Sequence, residues 1–396
     1  MSALYGTYAR SELAFERGEG VRLFTGDGTG YLDFNSGIAV NALGHGDAHV
    51  VAALKAQADK VWHVSNIFRI PEQEKLAERL VASTFADAVF FTNSGAEAVE
   101  CAIKTARRYF YDNGEKDRYE IIAFTGSFHG RTMATIAAGG NPGYTEGFGP
   151  VVPGFKHTAP GDLAAVEALI DDKTCAILIE PVQGEGGVTA MPDAYLKGLR
   201  ALCDKHGMLL IFDEIQCGYG RTGKFFAHEW AGVTPDIMTV AKAIGGGFPL
   251  GACLATEEVA KCMVPGTHGS TYGGNPLACA VGNAVLDRIQ SPGFIEHVEE
   301  MGKVLAWHLQ QLAQKYPQYV TEVRGKGLIA GVRITPPVRD FVARLRNHKL
   351  LAVAAGENVL RLLPPLIVEK EHIEEAMEKI ANAFEELDAE TANAAQ

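Results

Sequence analysis

Short apolar runs alternate with amphipathic stretches through the middle of the chain. The runs are AVFFTN (88–93), EIIAFTG (120–126), CAILIEPV (175–182), MLLIFDE (208–214), DIMTVAK (236–242) and GACLAT (251–256). They are apolar on both faces and end in glycine or polar residues, which is typical of buried parallel strands. Because helical patterns lie between several of them, we predict an α/β sheet with helices on both faces.

The stretch 193–207 illustrates the sequence signals that predict these helices. Its leucines fall on one face at helical spacing, and the pattern begins at Asp193 and stops at Gly207. Aspartate is a favoured N-cap residue, and glycine is favoured just past a helix end. We therefore predict a helix that Asp193 caps and Gly207 ends.

The two ends of the chain have different patterns. Residues 21–34, VRLFTGDGTGYLDF, predict a β-hairpin around a glycine-rich turn. After about residue 281 we predict, in chain order, a long helix, a strand region, a helix, a strand and a charged closing helix, at 295–315, 320–334, 337–348, 359–363 and 369–388. The chain then divides into an N-terminal segment (1–47), a large domain (48–280) and a smaller α+β domain (281–396).

Composition narrows the class of protein. The 396 residues are 47% hydrophobic and carry a formal net charge of −12, so nucleic acid and anionic membranes are poor partners. No run of about 20 apolar residues is present to span a bilayer. The seven cysteines form no CxxC and no cluster with zinc spacing. We expect buried free thiols, no metal site and, since the chain does not start like a leader, a cytoplasmic protein.

The segment GYGRTGKF (218–225) is similar to two phosphate-binding patterns. As GxxxxGK it lacks the hydroxyl residue that should follow the lysine, because Phe225 stands there. As GxGxxG it should open a helix whose N-terminus binds phosphate, but FFAHEWAGVTPD follows and soon reaches a turn. We therefore interpret these glycines as a flexible loop near the site and not as a nucleotide site.

Two predicted strands end in side chains that could take part in catalysis. The run MLLIFDE ends in Asp213 and Glu214, and the next run ends in Lys242 before three glycines. Ligands of open α/β sheets bind at the carboxyl ends of strands. A lysine between a buried strand and a glycine turn is a candidate Schiff-base amine, because burial lowers its pKa. Taken singly, each residue has a plain alternative: a turn aspartate and a surface lysine.

A third strand leads into a candidate anion site. In TNSGAEAVECAIKTA (92–106) a strand is followed by Ser94, Gly95 and Ala96 and then by a helix. Free N–H groups at a helix start suit a phosphate, although a plain N-cap also fits the pattern. Pyridoxal phosphate (PLP) requires a phosphate anchor, a carboxylate for its ring nitrogen and a lysine for its aldehyde. The three motifs together therefore predict a PLP enzyme.

Nearly the whole chain resembles the class III (subgroup II) PLP-dependent aminotransferases of fold type I. The resemblance extends from residue 15 to residue 366 and rests on FTNSGAEAVE, GSFHGRT, EPVQGEGGV, LLIFDEIQCGYGRTG, AKAIGGGFPLGA and HGSTYGGNPLA. It implies a large, mostly parallel seven-stranded sheet domain and a smaller α+β domain. It also implies PLP as the cofactor and the transfer of amino groups as the reaction.

The resemblance further implies a set of cofactor contacts. The residues are Ser94, Gly95, Ala96, Phe128, Asp213, Glu214, Ile215, Gln216, Lys242 and Thr271. Phe128 would stack on the ring, Asp213 would pair with the ring nitrogen, and Lys242 would be the catalytic Schiff-base lysine. Ser270 and Thr271 would reach the site of the neighbouring subunit, which implies a homodimer with shared active sites.

Substrate contacts follow in the same way. Arg131 would bind the carboxylate of an N-acylated amino acid and Arg361 the α-carboxylate of glutamate or 2-oxoglutarate, because guanidinium meets carboxylate bidentately. Glu185 would pair with Arg361 and release it, and Tyr8 would approach the substrate. Ile38 stands where ornithine-specific members have tyrosine, which favours N2-acetylornithine or a 4-aminobutyrate-like donor. Succinylornithine, succinyldiaminopimelate and ornithine stay open as donors, and a silent PLP-binding protein is the non-enzyme alternative.

Overall fold

The computed structural model describes residues 3–394, in which strands and helices alternate. The strands are β1 (Phe15–Glu19), β2 (Arg22–Thr25), β3 (Gly30–Asp33), β4 (Ala88–Thr92), β5 (Glu120–Phe124), β6 (Phe155–Thr158), β7 (Thr174–Ile179), β8 (Val182–Gln183), β9 (Thr189–Ala190), β10 (Leu209–Asp213), β11 (Ile237–Val240), β12 (Gly251–Ala255), β13 (Val320–Lys326), β14 (Ile329–Ile334), β15 (Leu350–Leu351), β16 (Val353–Ala355) and β17 (Val359–Leu362). The helices are α1 (Ser36–Ala39), α2 (Ala48–Ala58), α3 (Pro71–Ala82), α4 (Gly95–Asp112), α5 (Met133–Gly139), α6 (Pro142–Thr145), α7 (Leu163–Glu167), α8 (Asp193–His206), α9 (Glu257–Ala260), α10 (Pro276–Ile289), α11 (Phe294–Lys315), α12 (Val338–Asn347) and α13 (Lys370–Ala394).

The largest sheet has seven strands in the order β4-β12-β11-β10-β7-β5-β6. Neighbours from β11 to β6 run parallel, which confirms the predicted α/β class. β12 is antiparallel to both β11 and β4, whereas its sequence predicts a parallel strand. The reason lies in the connection 241–250. It holds only one 3₁₀ turn, Lys242–Gly245, and a parallel return needs a crossover of about a dozen residues or more.

Helices cover both faces of this sheet, as predicted. Val99 of α4 lies in one apolar cluster with Ile211 of β10, and Leu199 of α8 lies in another with Phe212. Ile211 and Phe212 are consecutive and therefore point to opposite faces of the sheet. The strand is buried on both sides, which explains its unbroken apolar sequence.

Two smaller four-stranded sheets are built from the ends of the chain, with the orders β1-β2-β3-β15 and β13-β14-β17-β16. β2 and β3 form the predicted hairpin. β3 pairs in parallel with β15, so the N-terminal strands are joined to the C-terminal region. Helices α11 and α13 pack together, and α11 also packs on β13. No helix between residues 3 and 394 is long and apolar enough to cross a membrane.

Two local features differ from the sequence prediction. Pro192 occupies the N-cap position of α8, and the carboxylate of Asp193 lies 3.3 Å from the amine of Lys326 instead of capping the helix. Gly207 ends this helix in the left-handed conformation, as predicted. The hydrophobic pattern does not predict β6, because this half-buried edge strand has the sequence FKHT and no apolar run.

Candidate active site

The ends of β10 and β11, the loop after β5 and the first turn of α4 enclose a cavity of about 480 Å³. Its walls include many of the predicted site residues: Ser94, Gly95, Ala96, Phe128, Arg131, Asp213, Ile215, Gln216 and Lys242. These residues are far apart in sequence. The fold brings them together because the parallel strands β10 and β11 end at the same edge of the sheet.

Ser94 caps the first turn of α4. Its hydroxyl accepts the N–H of Glu97 at 3.3 Å. The N–H groups of Gly95 and Ala96 begin the helix and therefore have no intrahelical acceptor. A Cβ on Gly95 would lie 2.9 Å from Cδ1 of Ile215, so glycine lets the turn lie close to the cavity wall. An anion in this corner would meet free N–H groups and the positive end of the helix dipole.

Asp213, the last residue of β10, is held from two sides. Its Oδ2 lies 2.8 Å from Nδ1 of His129, and its Oδ1 accepts the N–H of Ile215 at 3.1 Å. Both Asp213 and His129 are buried. Burial disfavours the imidazolium, but the hydrogen bond to Asp213 and the nearby carboxylate charges together outweigh burial and raise the pKa of His129. The contact with His129 therefore fixes the Asp213 carboxylate at the cavity edge.

Lys242 follows β11 and opens the 3₁₀ turn. Its side chain lines the cavity and forms no hydrogen bond or ion pair with a residue that the structure describes. Burial, together with the nearby Arg361 guanidinium, lowers the pKa of Lys242 to about 8. Part of the amine is therefore neutral near neutral pH, as a nucleophile or a base requires.

Arg361 lies on β17 and is completely buried. Its Nη1 lies 2.7 Å from Oε1 of Glu185 and donates to Oε1 of Gln216 at 2.9 Å. Because Gln216 lines the cavity, it links Arg361 to the site. A Cβ on Gly184 would overlap the Gln216 amide oxygen, so glycine is needed there. The predicted pairing of Glu185 with Arg361 is present in this structure.

Arg131 is an exposed cation at the cavity wall. The carbon of its guanidinium lies 3.7 Å from the ring centroid of Tyr144 and 5.6 Å from that of Phe128. Among residues 3–394 it has no ion-pair partner. A carboxylate that enters the cavity could therefore bind Arg131, whereas Arg361 is already paired with the carboxylate of Glu185.

Two buried groups of this site, His129 and Glu180, were missed by the sequence reasoning. Glu180 follows β7, lines the cavity and accepts the N–H of Phe128 at 3.1 Å. It ends an apolar run as Asp213 does, so the same strand-end argument could have found it. His129 lies in a loop, and only the folded chain brings it to Asp213.

Glu214 does not face the cavity, contrary to the prediction that it contacts the cofactor. Its carboxylate accepts the N–H groups of Ala227 and His228, each at 2.8 Å, and lies 3.0 Å from Nδ1 of His228. Successive side chains of a strand point to opposite sides. Because Asp213 points into the cavity, Glu214 points away from it and stabilises the loop at 226–228.

The remaining predicted residues lie outside the cavity of this chain. Ser270 Oγ is 3.4 Å from Nδ2 of Asn93, and Ser270 and Thr271 belong to an exposed loop. Tyr8 is 73% exposed. Neither Ser270 nor Thr271 lines this chain's own cavity, which is compatible with the predicted role at a partner's site.

The segment 218–225 is a packed loop and not the flexible one that we predicted. Arg221 is buried, and its Nη1 donates to the carbonyls of Leu328 and Pro364. Only one 3₁₀ turn, Ala227–Trp230, follows it. The absence of a following helix within the described residues agrees with the argument against a nucleotide site.

The residues of the cavity fit PLP. The helix start at Ser94 offers a hydroxyl and free N–H groups for a phosphate, in a corner that a Cβ on Gly95 would narrow. Asp213 offers a fixed carboxylate for a protonated ring nitrogen, Phe128 an aromatic face, and Lys242 an unpaired amine for the aldehyde. An α/β sheet with this set of groups at its strand ends defines a PLP-dependent enzyme.

The chain belongs to the class III aminotransferases. The family model described as Aminotransferase class-III matches residues 6–384. The chain is therefore a PLP-dependent aminotransferase, and PLP is its cofactor.

Similar proteins bear this out over nearly the full length. The chain is 57% identical over 384 residues to an acetylornithine aminotransferase of Brucella melitensis biotype 1, with 97% of this chain and 95% of the relative covered. The crystal structure of an N-acetylornithine aminotransferase from Stenotrophomonas maltophilia is 36% identical, with a TM-score of 0.84 over 96% of this chain and 98% of the other. An ornithine aminotransferase of Toxoplasma gondii is 32% identical, with a TM-score of 0.94 over 98% and 94%.

Proposed function

We propose that this enzyme transfers the terminal amino group of N2-acetylornithine to 2-oxoglutarate, giving N-acetylglutamate semialdehyde and glutamate in the synthesis of arginine. The similarity to the Brucella relative supports this donor. The structural observation that carries the proposal is the unequal state of two arginines. Arg131 is free at the cavity wall, whereas Arg361 is buried and paired with Glu185.

The two states suit two different substrates. N2-acetylornithine has one carboxylate, and Arg131 binds it while Glu185 stays on Arg361. Glutamate and 2-oxoglutarate have two carboxylates, so one binds Arg131 and the other displaces Glu185 from Arg361. A buried cation without an anion is costly. Glu185 therefore keeps Arg361 paired in the half-reaction that brings only one carboxylate.

The cofactor and the residues of the site have different roles in the reaction. PLP, when bound, supplies an aldehyde for the amine and a ring that accepts the electron pair of a carbon–hydrogen bond. Asp213, held by His129, keeps a negative charge where the ring nitrogen would lie. Lys242 Nζ accepts the proton from the substrate carbon that bears the amine, a role that its lowered pKa favours. The scheme requires ping-pong kinetics with two half-reactions.

We also propose a homodimer with shared active sites. The stretch 61–68, here called the 61–68 patch, exposes large apolar side chains: Val61, Trp62, Ile67 and Phe68. Asn66 Nδ2 donates to the carbonyl of Ser270 at 3.1 Å, so the patch adjoins the Ser270–Thr271 loop. Exposed apolar patches of this kind are typical of interfaces. If a second copy covered this patch, the adjoining Ser270–Thr271 loop would lie in the interface, within reach of the partner's cavity.

The cytoplasm is the proposed location of the enzyme. All seven cysteines are buried and unpaired. Free thiols persist in reducing compartments, whereas proteins of oxidising compartments often carry disulfides. The distribution of thiols therefore supports, for the described part of the chain, an enzyme that works inside the cell.

The variant Glu185→Ala tests the two-arginine scheme. It leaves Arg361 without an anion in the free enzyme and with N2-acetylornithine bound, but not with glutamate bound. The value of kcat/KM for N2-acetylornithine should therefore fall about tenfold relative to that for glutamate. The control is Glu322→Ala, which removes a half-exposed partner of Arg324 and should leave the ratio unchanged. An unchanged ratio in Glu185→Ala contradicts the scheme. Higher kcat/KM for ornithine, 4-aminobutyrate, succinylornithine or succinyldiaminopimelate would reassign the donor.

A further inference from the structure

Glu180 and Asp213 place two carboxyl groups on neighbouring strands at the cavity edge. Ile179 of β7 pairs in register with Phe212 of β10, so Glu180 and Asp213 occupy the next position on strands that lie about 4.8 Å apart. Only 4% of Glu180 and 2% of Asp213 are exposed. Two buried carboxylates this close together are stable in the charged form only with enough positive charge around them.

Each carboxyl group holds one residue of the segment that follows β5. Glu180 Oε2 accepts the N–H of Phe128 at 3.1 Å, and Asp213 Oδ2 lies 2.8 Å from Nδ1 of His129. The segment 125–132 contains neither helix nor strand, and two glycines of positive φ flank the pair. The position of the Phe128 ring at the cavity therefore depends on these side-chain contacts.

The positive charges around Glu180 are too few to balance a second negative charge beside that of Asp213. The ionisable groups that face it are His129 from the loop after β5, Asp213 from β10, Cys217 from the following loop and Lys242 after β11. The imidazole of His129 is committed to Asp213. Burial lowers the pKa of Lys242 and raises that of Glu180 well above its usual range. No cation among residues 3–394 forms an ion pair with Glu180.

We propose that Glu180 is a positioning residue that keeps its proton at neutral pH and thereby seats Phe128 without placing a second negative charge beside Asp213. A charged Glu180 would compete with Asp213 for His129 and would loosen the carboxylate that would pair with the ring nitrogen of PLP. The inference rests on the proposed transamination at this site and does not depend on which amine is the donor.

Two substitutions in the PLP-loaded enzyme separate charge from hydrogen bonding. Glu180→Gln keeps an oxygen for the Phe128 N–H and imitates the protonated carboxyl, so kcat at pH 7 should stay within about twofold of wild type. Glu180→Ala leaves that N–H buried without an acceptor, so kcat should fall about tenfold at every pH. Wild-type kcat should decline as the pH rises through about 8, and this decline should be absent in Glu180→Gln. Equal impairment of both variants at pH 7 would overturn the proposal.

Infrared difference spectra of the same proteins without substrate give a second readout. At pH 7 the wild type should show the carbonyl stretch of a protonated carboxyl group that Glu180→Gln lacks, and this band should vanish across about pH 8. A wild-type spectrum without such a band at pH 7 contradicts the proposal, even if Glu180→Ala fails to fold. Because no substrate is present, the result is independent of the proposed donor. Failure of the donor assignment would appear only in turnover.

Discussion

Lys242 occupies a strained backbone position. Its φ of 51° lies in the left-handed region, which costs a residue with a side chain about 1–2 kcal/mol. The residue comes directly after β11, and the next two residues, Ala243 and Ile244, are buried beneath the turn. Their packing holds the turn in place and keeps the amine at the cavity. Strain of this kind is typical of positions that serve function.

The lowered pKa of Lys242 predicts a dependence of stability on pH. The pKa falls from 10.5 to about 8 on folding, so the folded state binds fewer protons between these values and its stability rises with pH there. Below about pH 8 the full penalty, a few kcal/mol, is present. Lys242→Met should therefore raise the free energy of unfolding of the cofactor-free protein at pH 7, and the gain should shrink by pH 9.5 in urea titrations.

The control for this prediction is Lys197→Met. Lys197 is exposed on α8, so its substitution should change the free energy of unfolding by less than about 0.5 kcal/mol at either pH. A gain for Lys242→Met that does not vary with pH would show that packing, and not the buried charge, causes it.

The sequence predicts Asp213 and Lys242 because both end apolar strands, where the hydrophobic pattern itself marks the position. The state of Arg361 is not predictable in this way. Its complete burial and its contact with Gln216 join segments that are distant in sequence. The role of His129 is equally hard to predict from sequence, since its pairing with Asp213 exists only after the loop has folded over the strand end.

The contact between the loop after β5 and helix α4 shapes the cavity at the scale of elements. Gly130 has a φ of 131°, and a Cβ there would lie 2.6 Å from the Cβ of Ala96 in the first turn of α4. Glycine is therefore required both by its conformation and by the close approach. The loop that carries Phe128 and Arg131 thus lies directly against the first turn of α4, where the phosphate of PLP is expected to bind.

A pair of glycine substitutions measures this contact. Gly130→Ala should lower the free energy of unfolding by about 3 kcal/mol or more and should weaken PLP binding, because α4 must shift. Gly114→Ala is the matched control, since Gly114 also has a positive φ of 90° but open space around it. It should cost only about 1–2 kcal/mol and leave PLP binding unchanged. Equal effects of the two on PLP binding would contradict the role of the contact.

Sequence patterns predict which segments form the strands of the large sheet better than they predict the direction in which each strand runs. Buried strands are apolar on both faces whether their neighbours are parallel or antiparallel, so the sequence of β12 carries no signal of its reversed direction. Only the short connection from β11 decides it. Edge strand β6 has no apolar run because one side of it lacks a neighbouring strand.

In the whole molecule, the C-terminal region reaches the cavity through the contact of Arg361 with Gln216, and the N-terminal strands are paired with that region. Arg361 comes from β17 of a small sheet, and β3 near the N-terminus pairs with β15 from the C-terminal region. Arg221 bonds to Leu328 and so joins the loop after β10 to the same region. The proposed recognition of substrate by Arg361 therefore depends on how the small sheets are held against the large one.

The proposed homodimer predicts that one charge in the 61–68 patch lowers activity without altering the chain's own cavity. Ile67 is 82% exposed, so Ile67→Glu should not harm the monomer. It should shift the protein from dimer to monomer in sedimentation velocity and lower kcat at least about tenfold, because the partner's Ser270 and Thr271 are lost. Trp307→Glu, at an aromatic side chain that is 59% exposed on α11, should stay dimeric and active. A fully active monomer would contradict the shared site.

The proposed transamination is tested most directly by following the amino group itself. N2-acetylornithine with 15N at its terminal amine is mixed with the PLP-loaded enzyme, with or without 2-oxoglutarate, and products are measured by mass spectrometry. Labelled glutamate is expected when 2-oxoglutarate is present, and about one semialdehyde per subunit is expected when it is absent. Lys242→Ala should give neither product. Unlabelled glutamate, or no semialdehyde from the PLP-saturated wild type, would contradict the account.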